Sequence, residues 1–123
     1  MKRLFTIVIA AAALWVGFAW SHGDEKARHG GIVQISGETK FELVPRDNSA
    51  EVYLDDHGET IPTAQLSGKL TVLSGSAKSE AKLEPVAGDK LVAKGVKLVK
   101  GDKVIALVTL ADKTTASARF VIR

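Results

Sequence analysis

The chain has 123 residues, no cysteine and a formal net charge of +3 at neutral pH. That length suits one domain with a modest core rather than two. The missing thiols exclude disulfide staples and a lipid attached through an N-terminal cysteine.

Lys2 and Arg3 precede an apolar run from Leu4 to Trp20 that only Thr6 and Gly17 interrupt. This is the layout of a secretory signal, and the run falls just short of the roughly 18–20 apolar residues a spanning helix needs. Ala19-Trp20-Ser21 places small residues where a signal peptidase requires them. The reading is therefore a signal peptide over residues 1–21, cleavage after Ser21 and export to the periplasm, with no membrane segment left. Gly17-Phe18-Ala19 offers a second cut that leaves Trp20-Ser21-His22 at the new front.

Charge is unevenly spread beyond the signal. Residues 22–63 hold nine acidic and four basic side chains, whereas residues 64–123 hold five acidic and eleven basic. Phe120 is the one aromatic in the basic half, so no stacking platform for nucleic acid is available there.

From His22 to Gly31 the chain is polar and glycine-rich without apolar period, and reads as a mobile lead segment. A single domain over 32–123 follows. Its apolar residues recur at every second position, as in Val104/Ala106/Val108/Leu110 and Ala116/Ala118/Phe120/Ile122. Turn residues separate these runs, among them Asp55-Asp56-His57-Gly58, Ser74-Gly75-Ser76 and Lys100-Gly101-Asp102. The pattern predicts strands near 31–36, 39–45, 50–56, 65–74, 78–85, 90–94, 102–111 and 114–122, with no helix in the domain. The expected fold is all-β, a small antiparallel β-sandwich of immunoglobulin-like or Greek-key type with seven to eight strands. Lys69, Lys78, Lys82, Lys94 and Lys97 take polar positions that face water or discourage edge pairing.

Three histidines, His22, His29 and His57, all lie in polar, glycine-flanked stretches of the acidic half. With His22 as the new N-terminus, its amine and imidazole can chelate one ion and His29 can add a second imidazole, a donor set that suits Cu(II). Asp24 and Glu25 would tune the local charge. The alternative cut puts His22 third from a free amine, a square-planar arrangement for Cu(II) or Ni(II). His57 follows Asp55-Asp56, so a hairpin tip could present carboxylates beside an imidazole, although Asp, His and Gly are also ordinary turn residues. No Gly-x-Ser-x-Gly elbow, phosphate-cradling glycine loop or His-Glu-x-x-His helix is present, and no enzymatic activity is expected.

His29-Gly30-Gly31, Phe41-Glu42-Leu43-Val44, Val52 to Gly58 with Ile61-Pro62, and Gly68 to Gly75 together resemble small exported β-sandwich domains. Such domains occur alone or at the front of periplasmic adaptor subunits of heavy-metal RND efflux pumps. The likeness spans most of residues 29–122, but the hairpin and barrel regions of the adaptors are missing. It implies an accessory role in metal resistance or efflux, with copper as the cargo, His22, His29 and His57 as ligands, and an RND periplasmic component as partner. The competing expectation is an interaction module without a metal site, whose oppositely charged halves dock onto an envelope component.

Overall fold

A computed structural model describes residues 26–123. The expected signal peptide, His22, Asp24 and Glu25 lie outside the described residues.

Nine strands and no helix make up the described chain. They are β1 (Ile32–Ser36), β2 (Thr39–Pro45), β3 (Ser49–Asp56), β4 (Glu59–Thr60), β5 (Ser67–Ser74), β6 (Ala77–Val86), β7 (Lys90–Lys94), β8 (Lys103–Thr109) and β9 (Thr115–Val121). The all-β expectation holds, and the ranges foreseen for β2 and β7 match residue for residue. The two-residue β4 was not foreseen, because a pair of polar residues carries no alternation to detect. The strand foreseen from residue 65 starts at Ser67, since the Leu66 N–H donates to the Thr63 carbonyl and turns the chain first.

All ladders are antiparallel, in the spatial order β1-β2-β3-β7-β6-β5-β8-β9, with β4 beside β3. The long β6 joins the two halves. Its residues up to Leu83 pair with β5, whereas Glu84 to Val86 pair with β7. This handover lets the sheet curl until β1 and β9, the ends of the path, bring Cα atoms within 8 Å of each other without sharing a ladder. The result is a nearly closed antiparallel sheet.

Alternation fills the space enclosed. Phe41 and Leu43 of β2, Val52 and Leu54 of β3, Leu70 of β5, Leu83 of β6, Leu91 of β7 and Val104 and Val108 of β8 are fully buried. Each such side chain is worth about 1.5–3 kcal/mol relative to exposure. Packing and hydrogen bonds must hold the fold, since no disulfide exists.

One buried carboxylate organises the loop before β8. Asp102, 4% exposed, accepts from the Ser74 hydroxyl at 2.8 Å and from the Val99 N–H at 3.0 Å, which fastens the 95–101 connection to the end of β5. Asp102→Ala should destabilise the domain by about 1–2 kcal/mol, because two charge-assisted bonds go and the Val99 N–H needs a new partner. Urea unfolding measures this, and a loss below about 0.3 kcal/mol would mean that water replaces the carboxylate without cost.

The five lysines expected at solvent-facing positions, Lys69, Lys78, Lys82, Lys94 and Lys97, are all exposed.

Candidate functional site

Two hairpin turns share one end of the sheet. Gly37-Glu38 joins β1 to β2, and Gly37 has φ +60°, as a two-residue hairpin with glycine in first place requires. His57-Gly58 joins β3 to β4 with φ +51° and +85°, the pattern of a turn with both central residues left-handed. Thr39 stands opposite Asp56 in the ladder, so the two turns are neighbours. One ligand atom from each of Glu38, Asp56 and His57 lies within 4.8 Å of the others. Metal–nitrogen and metal–oxygen bonds of about 2.0–2.2 Å need donor spacings of about 3–4 Å, so small rotations of these exposed side chains could converge on one ion. His57 already holds its Nδ1 3.3 Å from Asp56 Oδ1.

Only one of the two carboxylates expected beside His57 is there. Strand alternation sends Asp55 to the outer face of β3, where it is 8% exposed and lies 3.5 Å from the Arg28 guanidinium and 4.0 Å from Lys40 Nζ. Glu38 supplies the second carboxylate of the group from the other turn, a contribution visible only once the hairpins are in register.

That outer face of β2 and β3 is covered as well as charged. The lead segment expected over 22–31 enters the described structure at Lys26, and from there to Gly31 it lies across Lys40, Glu42, Tyr53 and Asp55. Glu42, 3% exposed, is the anchor. Its carboxylate accepts the backbone N–H groups of Arg28 at 3.0 Å, His29 at 2.8 Å and Gly31 at 2.8 Å, and lies 3.0 Å from His29 Nδ1. Burial pushes the Glu42 carboxyl up, but the His29 side chain and the three N–H groups outweigh it and hold the group below its ordinary value.

The His29 ring stacks on Tyr53, with centroids 3.5 Å apart and planes 6° from parallel. Tyr53 is itself held from the other side, its hydroxyl donating to Glu51, which Lys90 and Arg46 also contact at 3.0 Å. Burial raises the Glu51 carboxyl, and Lys90 and Arg46 more than reverse this, leaving it lowered. Arg28 links strap to turn, donating to the Gly58 carbonyl at 3.3 Å while it faces Asp55. Lys40 Nζ donates to the Lys26 carbonyl at 2.7 Å. A polar cavity of about 150 Å³ remains between Arg28, His29, Lys40, Glu42, Tyr53 and Asp55.

The structure therefore places His57 in a donor cluster with Asp56 and Glu38, and His29 one step away on the strap that reaches the same turn through Arg28. Glu42 and Lys40 were not singled out as site residues from sequence, and Asp55 was expected at the turn rather than on this face. Their alternation is that of any half-buried strand, and nothing in it announces that the polar face is covered.

No family model, curated protein or solved structure matches the chain.

Proposed function

We propose that the chain is a periplasmic accessory protein of metal resistance or efflux that binds a transition metal ion, copper by donor preference, at the histidine-bearing end of its sheet. The observation that carries this reading is the state of the two described histidines. Each has its Nδ1 against a carboxylate, His29 on Glu42 at 3.0 Å and His57 on Asp56 at 3.3 Å. A carboxylate on one ring nitrogen fixes the tautomer and raises the basicity of the other, which is how metal-binding imidazoles are commonly held. For His57, Glu38 of the neighbouring turn adds an oxygen donor close to the same ring. His22 and a new amine would complete the set from the segment preceding the strap.

The role is carriage rather than catalysis, since a non-thiolate site on an exposed turn suits an ion that must be handed on. An adaptor component of an RND pump is the recipient that the sequence resemblance suggests. The strand order β7-β6-β5-β8 is read here as the Greek-key unit of a β-sandwich, which accords with that resemblance.

Titration of the exported protein with Cu(II) tests the reading. His57→Ala should weaken binding about tenfold, as loss of one imidazole among several donors implies. Affinity should fall in acid, because a protonated ring cannot donate. An affinity that is unchanged with all three histidines replaced by alanine would sink the proposal.

A further inference from the structure

Beyond the strands that the strap covers, β5, β6, β8 and β9 build a second outer face. Their ladders set its side chains in rows across the sheet. Leu73 stands between Lys78 and Lys103, Thr71 between Glu80 and Ile105, and Lys69 between Lys82 and Leu107. β9 continues the rows with Val121, Arg119 and Ser117. The residues that alternate with these, among them Leu70, Val72, Val104, Ala106 and Ala118, are buried, so the rows lie on the side away from the core.

Charge on this face is one-sided. Lys69, Lys78, Lys82, Lys103 and Arg119 are all exposed, and Glu80, 3.2 Å from Lys69, is the one carboxylate among them. Lys69 and Lys82 stand directly opposite each other, a like-charge pairing that costs stability in a bare sheet and that an anionic ligand would relieve. Residues 22–123 hold 15 basic and 14 acidic side chains, so the excess belongs to this face and not to the domain as a whole. Aliphatic side chains lie between the cations, with Leu107 39% and Val121 54% exposed. Leu73, Ile105 and Val121 also line a groove of about 360 Å³ that carries Lys103, Arg119 and Arg123 and no carboxylate.

We propose that this face docks the domain on an anionic phospholipid surface. The long amines reach the headgroup phosphates, while Leu107 and Val121 enter the boundary between headgroups and acyl chains. An acidic protein is the poorer partner. Protein interfaces centre on tryptophan, tyrosine and arginine anchors seated in pockets, and no residue in these rows is aromatic. Cations spread over a flat sheet ask for no fixed counterpart, and mobile headgroups can gather beneath them. Docking of this kind is independent of the metal site and does not rest on it.

Lysines on strands also serve simply to keep sheets from pairing between molecules. Co-sedimentation of the exported protein with vesicles separates the two roles. Vesicles of phosphatidylglycerol and phosphatidylcholine in equal amounts should carry the protein down, and vesicles of phosphatidylcholine alone should leave it in solution. Lys69→Glu with Lys103→Glu should weaken binding by about tenfold or more, because two attractive charges on the docking face become repulsive. Lys94→Glu with Lys97→Glu, the same charge change at exposed positions outside this face, should weaken it by less than about threefold. Thermal unfolding shows whether both variants remain folded. Cleavage after Ser21 leaves no tryptophan in the exported chain, so Leu107→Trp reports on this face alone. Its emission should shift to the blue on the anionic vesicles. Equal binding to both kinds of vesicle, equal loss in the two charge variants, or unshifted emission from Leu107→Trp would each overturn the proposal. So would capture by soluble polyglutamate without binding to vesicles, which would assign the face to an acidic protein.

Discussion

Glu42→Ala should lower the stability of the domain by about 3 kcal/mol and release the strap from Lys26 to Gly31. One buried carboxylate takes three backbone N–H groups and a ring nitrogen of this segment. Bonds to an ionised group contribute about 1.5–3 kcal/mol each when their partner cannot be replaced. Here the donors can lift into water, because Arg28 and His29 are exposed. The total is therefore well below the sum of the bonds, and the missing part appears as mobility. Amide exchange at Arg28, His29 and Gly31 should accelerate far more than exchange in β5 or β8. Equal acceleration throughout would mean that the strap contributes nothing of its own.

Acid should reproduce part of this effect. Glu42 and Glu51 both have carboxyls held below 4.5, the ordinary value, so each is less readily protonated in the folded protein than in the unfolded chain. The stability they add is present above 4.5 and is lost as pH falls through their folded values. Glu42→Gln should flatten that acid limb. Should copper bind as proposed, the same substitution frees the His29 ring and weakens the metal about tenfold or more, as loss of a carboxylate behind an imidazole does.

Much of the fold was legible because it rests on alternation. Phe41/Leu43, Val52/Leu54 and Val104/Ala106/Val108 repeat every second position, and each proved to face the core. Closure of the sheet was not legible. It depends on β6 passing from β5 to β7 near Leu83, and the sequence there, Lys82-Leu83-Glu84-Pro85, shows only a strand with a proline in it. The site was half legible for a related reason. His29 and His57 stand out by rarity, whereas Glu38 and Glu42 are two acids among many. Glu38 becomes a donor because two hairpins are in register, and Glu42 becomes an anchor because a segment eleven to fourteen residues upstream lies on it. Both are facts of tertiary placement. The polar, glycine-rich composition of the lead segment, read as mobile over 22–31, likewise says nothing of the buried carboxylate on which Arg28, His29 and Gly31 lie.

Gly31→Ala should cost about 3 kcal/mol, whereas Gly30→Asn one residue earlier should cost less than about 1. A Cβ on Gly31 would run into the Leu43 carbonyl oxygen, with the Leu43 carbonyl carbon at 2.9 Å and Val44 Cγ2 at 2.8 Å. Leu43 cannot retreat, because it is paired with Ile32 on one side and Val52 on the other. The strap must move instead, and the Gly31 N–H leaves Glu42 with it. Gly30 meets nothing within 4 Å, and its φ of +76° is one that asparagine adopts with little strain. Glycine is thus demanded at the two positions for different reasons, close approach at residue 31 and handedness at residue 30. Urea unfolding of both variants, read with amide exchange at His29, distinguishes these reasons. Gly31→Ala should lose stability and strap protection together, and Gly30→Asn should keep both. If the two variants fall equally, backbone conformation and not contact with β2 is what seats the strap.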